Sequence, residues 1–140
     1  METILKSAKK TVIISREKPT VLIGERINPT GKKRLTAALA KGNLEIIRKE
    51  AEAQVKAGAD VLDVNVGAAD DVNKVDMLPK AVRLVMETVT APVCIDTANP
   101  EALRVALAVH KEIAPEGKPL VCRSERWSTR PSWPWPSRPA

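Results

Sequence analysis

A chain of 140 residues with a formal net charge of +6 and a pI near 9.6 would suit a nucleic-acid binder if the charge were spread along it. It is not: residues 123–140 hold four arginines against one acid, Glu125, and leave the first 122 residues with an ordinary balance of 19 basic and 16 acidic groups. No basic and aromatic residues interleave before that tail, which argues against nucleic acid, and no apolar run is long enough for a membrane span or signal core.

Phe and Tyr are absent, and Trp127, Trp133 and Trp135 all lie in the tail. The core must therefore be built from Val, Ile, Leu and Ala, as in a parallel sheet covered by helices. Cys94 and Cys122 stand 28 positions apart, with no spacing for zinc or a redox pair. They read as reduced thiols of a soluble, cytoplasmic chain large enough for one domain.

In chain order, residues 1–20 form a lead-in, with Val12-Ile13-Ile14 as an extended stretch or small strand outside the main sheet. Val21 to Gly24 is predicted as the first core strand, followed by a polar loop from Glu25 to Arg34 with a turn at Pro29 and Gly31. A short helix over 35–40 stops at Gly42, and a longer one, capped by Asn43, ends at Gly58. Leu44, Ile47, Ala51 and Val55 make the inner face of that second helix at helical spacing. Val61 to Val66 is the second strand, and residues 67–71 the loop above it.

The next helix is predicted over 76–89, with Pro79 placed in its first turn and Val82, Val85, Met86 and Val89 as its buried stripe. Val93 to Ile95 is the third strand, and a helix over 100–114 follows, with Leu103, Ala106, Leu107 and His110 inward. Pro119 to Cys122 starts a fourth strand. Strands alternating with helices imply right-handed crossovers and a parallel sheet. A (β/α)8 barrel needs about 250 residues, so the fold class expected here is α/β, the amino-terminal half of a TIM barrel over residues 21–122.

From Arg123 the composition changes abruptly to Arg, Ser, Trp and Pro. The expectation for residues 123–140 is a disordered tail produced by a change of reading frame near codon 122.

The stretch from Ala91 to Leu103 carries the functional argument. A buried strand delivers Asp96 at its carboxyl end, and Asn99-Pro100-Glu101 then opens a helix, with Asn99 suited to cap it. The same order of strand, polar group and loop recurs at Glu25 and at Asp63 and Asn65, the latter two sharing a face by period two. Polar groups at the carboxyl ends of neighbouring parallel strands converge where α/β folds place their sites. Plainer roles stay open: a loop acid for Asp96, a helix cap for Asn99, loop support for Asp63 and Asn65, and a local ion pair for Glu25.

Those residues lie in three motifs, Ile23 to Lys32, Gly58 to Gly67 and Ile95 to Pro100, through which residues 21–121 resemble the pterin-binding domain of methyltetrahydrofolate:corrinoid methyltransferases. The same domain is the folate module of cobalamin-dependent methionine synthase, and dihydropteroate synthase is a more distant relative. The resemblance implies methyl transfer from 5-methyltetrahydrofolate to a Co(I) corrinoid carried by a partner protein or domain, with no metal held by this chain. It implies pterin contact by Glu25, Asn28, Asp63, Asn65, Asp96 and Asn99, with Asp96 as the candidate catalytic carboxylate that accepts two ring donors side by side. N5 must gain a proton before the methyl group can leave, a general-acid task.

The chain departs from the family at Cys122, where the pattern has an Asn that helps bind the pterin; with strands five to eight absent, the chain is expected to be inactive alone. Two alternatives remain: a dihydropteroate-synthase-like transferase, and a non-catalytic fragment whose free strand edges pair with a second copy as a homodimer.

Overall fold

The computed structural model describes residues 1–67 and 73–122. The loop residues 68–71 and the anomalous tail of the sequence reading fall outside these. The described chain begins with an antiparallel hairpin, β1 (Thr3–Lys6) and β2 (Thr11–Ile14), which forms a sheet of its own. The main sheet then follows as β3 (Ile23–Ile27), β4 (Val61–Val64), β5 (Val93–Asp96) and β6 (Leu120–Cys122), in that spatial order and parallel throughout. Helices α1 (Lys33–Ala40) and α2 (Glu45–Lys56) connect β3 to β4, α3 (Lys74–Thr88) connects β4 to β5, and α4 (Pro100–Ile113) connects β5 to β6. This is the four-stranded α/β arrangement of a partial TIM barrel.

Period-two alternation sorts the sheet into two chemically different faces. Leu62, Val64, Val93 and Ile95 point toward the helices and join Ile47, Leu78, Val82, Val85 and Ala106 in one aliphatic core. Val61 and Cys94 point the other way, where Leu5 and Val12 of the hairpin pack against them. The hairpin thus covers the amino-terminal end of the concave face, and Asp63 and Asp96 lie further along the same strands.

Several boundaries differ from the expectation. The lead-in has a second strand, Thr3–Lys6, beside the stretch foreseen near Val12, because Leu5 finds a buried seat under the sheet. The first core strand lies at Ile23–Ile27, not Val21–Gly24, so Glu25 sits within it. A bulge sets this register: Gly24 pairs with Leu62 but Ile27 with Val64, and the Arg26 N–H donates to Gln54 Oε1 of α2 at 2.8 Å. The second strand ends at Val64, two residues short, although the Asn65 N–H still bonds the Ile27 carbonyl at 2.9 Å.

Pro79 is not in a first turn, since α3 starts at Lys74 under the Asn73 cap. It deprives the Val75 carbonyl of a donor, yet the helix continues because Leu78, Pro79, Ala81 and Val82 are all buried. The stripe of α3 is also displaced, with Met77 and Leu78 buried while Met86 and Val89 lie partly so.

His110 is 2% exposed on α4 and its Nε2 has no hydrogen-bond partner among the described residues. Burial lowers its pKa from the ordinary 6.5, so the unfolded chain binds the proton more readily than the folded one. Stability is therefore lost as pH falls below about 6.5. Urea unfolding at a series of pH values should show this contribution as the difference between wild type and His110→Leu, the variant losing less stability than the wild type as the pH is lowered.

Candidate functional site

The concave face holds a polar group buried as deeply as the aliphatic core around it. Asp63, Asn65 and Asp96 are 7%, 6% and 5% exposed. Asp63 comes from β4, Asp96 is the last residue of β5, and Asn65 follows β4 with its backbone still tied to β3. The pairing of Val64 with Ile95 brings Asn65 level with Asp96, and Asn65 Nδ2 donates to Asp96 Oδ2 at 2.9 Å. The other end of the amide is also fixed, because Asn65 Oδ1 accepts from the Gly67 N–H at 2.7 Å. This leaves one orientation for Asn65, with its donors toward the carboxylate.

Asp63 lies directly opposite Cys94, so thiol and carboxylate face each other across the strand pair. Burial pushes the Asp63 pKa up from 3.8 to about 6; the Cys94 thiol opposes the rise, and the charges of Asp96 and Glu25 add to it. Burial, then the Asp63 carboxylate, raise the Cys94 pKa, so the thiol keeps its proton. Cys94 was missed in the sequence reading, although alternation with Asp96 along one short strand already puts it on the same face. Gln54, which holds the β3 bulge, was missed too; a lone amide on a helix gives no such signal.

The remaining candidates lie around this centre. Glu25 is exposed and shares the face of Asp63, accepting from Asn28 Nδ2 at 3.1 Å. Asn28 in turn accepts the Thr30 N–H at 3.0 Å, which shapes the loop above β3. Lys32 Nζ donates to the Arg26 carbonyl at 2.9 Å and pins the same loop from the other side. Asn99 is engaged as the cap of α4, its Oδ1 accepting from the Glu101 and Ala102 N–H groups, both at 3.0 Å. Glu25, Asp63 and Asp96 thus stand on three adjacent strands, and Asn99 serves the helix that follows.

Surface hollows of about 270 and 300 Å³ lie beside the hairpin, lined by residues such as Ser7 and Gly117 or Pro19 and Asp60. They sit by the amino-terminal end of the sheet, away from the buried carboxylates, and show no comparable polar chemistry. Among the described residues no group of three or more His, Cys, Asp or Glu is arranged to hold a metal ion, and no helix is long and apolar enough to cross a membrane.

The fold agrees with the comparison to known families. Residues 24–114 match the family described as pterin binding enzyme, and the chain belongs to that family. Among its relatives is a methylcorrinoid:tetrahydrofolate methyltransferase of Eubacterium limosum, 34% identical over 95 residues that make up 66% of this chain and 33% of that protein. The chain spans about a third of that relative's length.

The raised pKa of Asp63 has a thermodynamic consequence. The folded chain binds this proton more tightly than the unfolded one, so its contribution to stability is complete below about 3.8 and is lost as pH rises through about 6. Near neutral pH the buried charge costs about 1–3 kcal/mol. Asp63→Asn should therefore raise the unfolding free energy by about that much near neutral pH, with the gain shrinking toward pH 4. Paired urea titrations measure the difference.

Proposed function

We propose that this chain contributes the pterin-binding part of a methyltransferase that moves a methyl group between N5 of a reduced folate and a corrinoid held by a partner protein or domain. The observation that carries this reading is the buried Asp63–Asn65–Asp96 group on the concave face. Polar groups this deep cost stability unless they are paired, and carboxylates placed against an aliphatic core mark sites where chemistry has been favoured over stability. Membership of the pterin-binding family and the name of the relative support the substrate class. That name gives the transfer from methylcorrinoid to tetrahydrofolate; we write it from 5-methyltetrahydrofolate, and one site serves both directions.

In this reading Asp96 accepts the paired N–H donors of the pterin ring, held in orientation by Asn65. Asp63 supplies a second carboxylate whose raised proton affinity suits a group that lies near a transferred proton. Glu25 and Asn28 line the rim above β3, and Asn99 acts on the site through the start of α4. The corrinoid is the acceptor substrate and supplies the nucleophilic cobalt. The residues of this chain bind and orient the pterin and hold the proton balance around it. We further propose that the chain is inactive alone, since Cys122 stands where the family pattern has an Asn.

Equilibrium dialysis of the full chain with 5-methyltetrahydrofolate tests both parts. Binding should be weak, and Asp96→Ala should weaken it by about tenfold or more, the loss of a charged hydrogen-bonding partner. An unchanged affinity in Asp96→Ala would sink the site. Tight binding together with methyl transfer by the chain alone would remove the claim of inactivity.

A second reading concerns association. Leu22 and Ile23 at β3 and Val121 on β6 are 55%, 46% and 47% exposed, and β3 and β6 are the outer strands of the sheet. A second copy pairing along these edges would cover them. Size-exclusion chromatography with light scattering should then find a dimer, and a monomer at all concentrations would refute it.

A further inference from the structure

Cys94 and Asp63 face each other across the β4–β5 pairing and leave the sheet on its concave side. Cys94 is 2% exposed. Its proton stays on sulfur, so the thiol is the donor and the carboxylate the acceptor. Beneath it, Leu5 and Val12 of the hairpin pack with Val61 and Cys94 in one apolar cluster. Cys94 is therefore a boundary residue, seated on an aliphatic base and directed at a carboxylate.

The groups that act on Asp63 come from three sides. Glu25 on β3 and Asp96 on β5 are negative and favour its neutral form, while the Cys94 thiol favours the ionised form. Cys122 on β6 acts on Cys94 from the far side. With two neighbouring acids working against ionisation, the thiol is the donor that keeps Asp63 available as an acceptor.

We infer that Cys94 is a positioning residue for the pterin site: seated by the amino-terminal hairpin, its thiol orients the Asp63 carboxylate and holds it ionised for a ligand's N–H donors. The ligand half of this statement rests on the pterin reading above; the thiol–carboxylate half does not.

The test uses the full chain with carbon-13-labelled aspartate, following the Asp63 carboxyl resonance through a pH titration. Cys94→Ala removes the donor, and the Asp63 midpoint should rise by about one pH unit. Cys94→Ser restores a donor and should return the midpoint toward that of the wild type. If Cys94→Ala does not fold, Cys94→Val, which leaves no cavity and also lacks a donor, takes its place. In parallel, dialysis with 5-methyltetrahydrofolate should show affinity lowered about threefold near pH 6.5 in the donor-less variant, recovering at higher pH. A purely packing role for the sulfur predicts a loss that does not vary with pH.

An unchanged Asp63 midpoint in the folded donor-less variant, or a serine variant that behaves like alanine, overturns the assignment. Absence of pterin binding in the wild type refutes the pterin reading, and with it the ligand half, while the titration still decides whether Cys94 governs Asp63.

Discussion

The alternation of side chains along two short parallel strands is the constraint from which the rest of this structure follows. In β4 and β5 each odd step feeds one face and each even step the other, so a four-residue strand can belong to two environments. Leu62, Val64, Val93 and Ile95 supply the aliphatic contact that holds the helices. The residues between them are released from that duty. They carry Val61 and Cys94 at one end, against the hairpin, and Asp63 and Asp96 at the other. Packing and chemistry are thereby separated within single strands.

The polar end of that face is not a solvated patch. Asn65 bridges to Asp96 and is itself oriented by the Gly67 N–H, so the arrangement is set by backbone geometry and not by flexible surface side chains. The proximity of like charges and the lack of water around Asp63 work against ionisation, and the Cys94 thiol works for it. The outcome of these opposed influences is an acceptor held out of water, yet still able to carry charge.

Much of this was legible in the residues themselves, for reasons that differ from place to place. Asp63 and Asn65 share a face because a strand has a two-residue period, and Asn99-Pro100-Glu101 opens a helix because each residue suits its position there; both features are local. The first core strand was misplaced because its register depends on Gln54, a residue on a helix that reaches the Arg26 N–H across the fold. The hairpin was half seen, since a strand as short as Thr3–Lys6 becomes recognisable only through the burial of Leu5 under the sheet. Pro79 was assigned to a helix start by its chemistry, and tertiary burial overrode that preference.

The bulge in β3 has a consequence for how this strand can vary. Strict alternation would turn Ile27 to the same side as Glu25; the extra residue sends Ile27 into the aliphatic core, where it is 1% exposed, and leaves Glu25 facing Asp63. A chain lacking Arg26 would reach the same sorting by plain alternation, with Ile27 still on the aliphatic side and Glu25 still facing Asp63. What the bulge adds is an attachment: the Arg26 N–H is held by Gln54 Oε1 of α2 and its carbonyl accepts from Lys32 Nζ, tying the strand to a helix and to the loop above it.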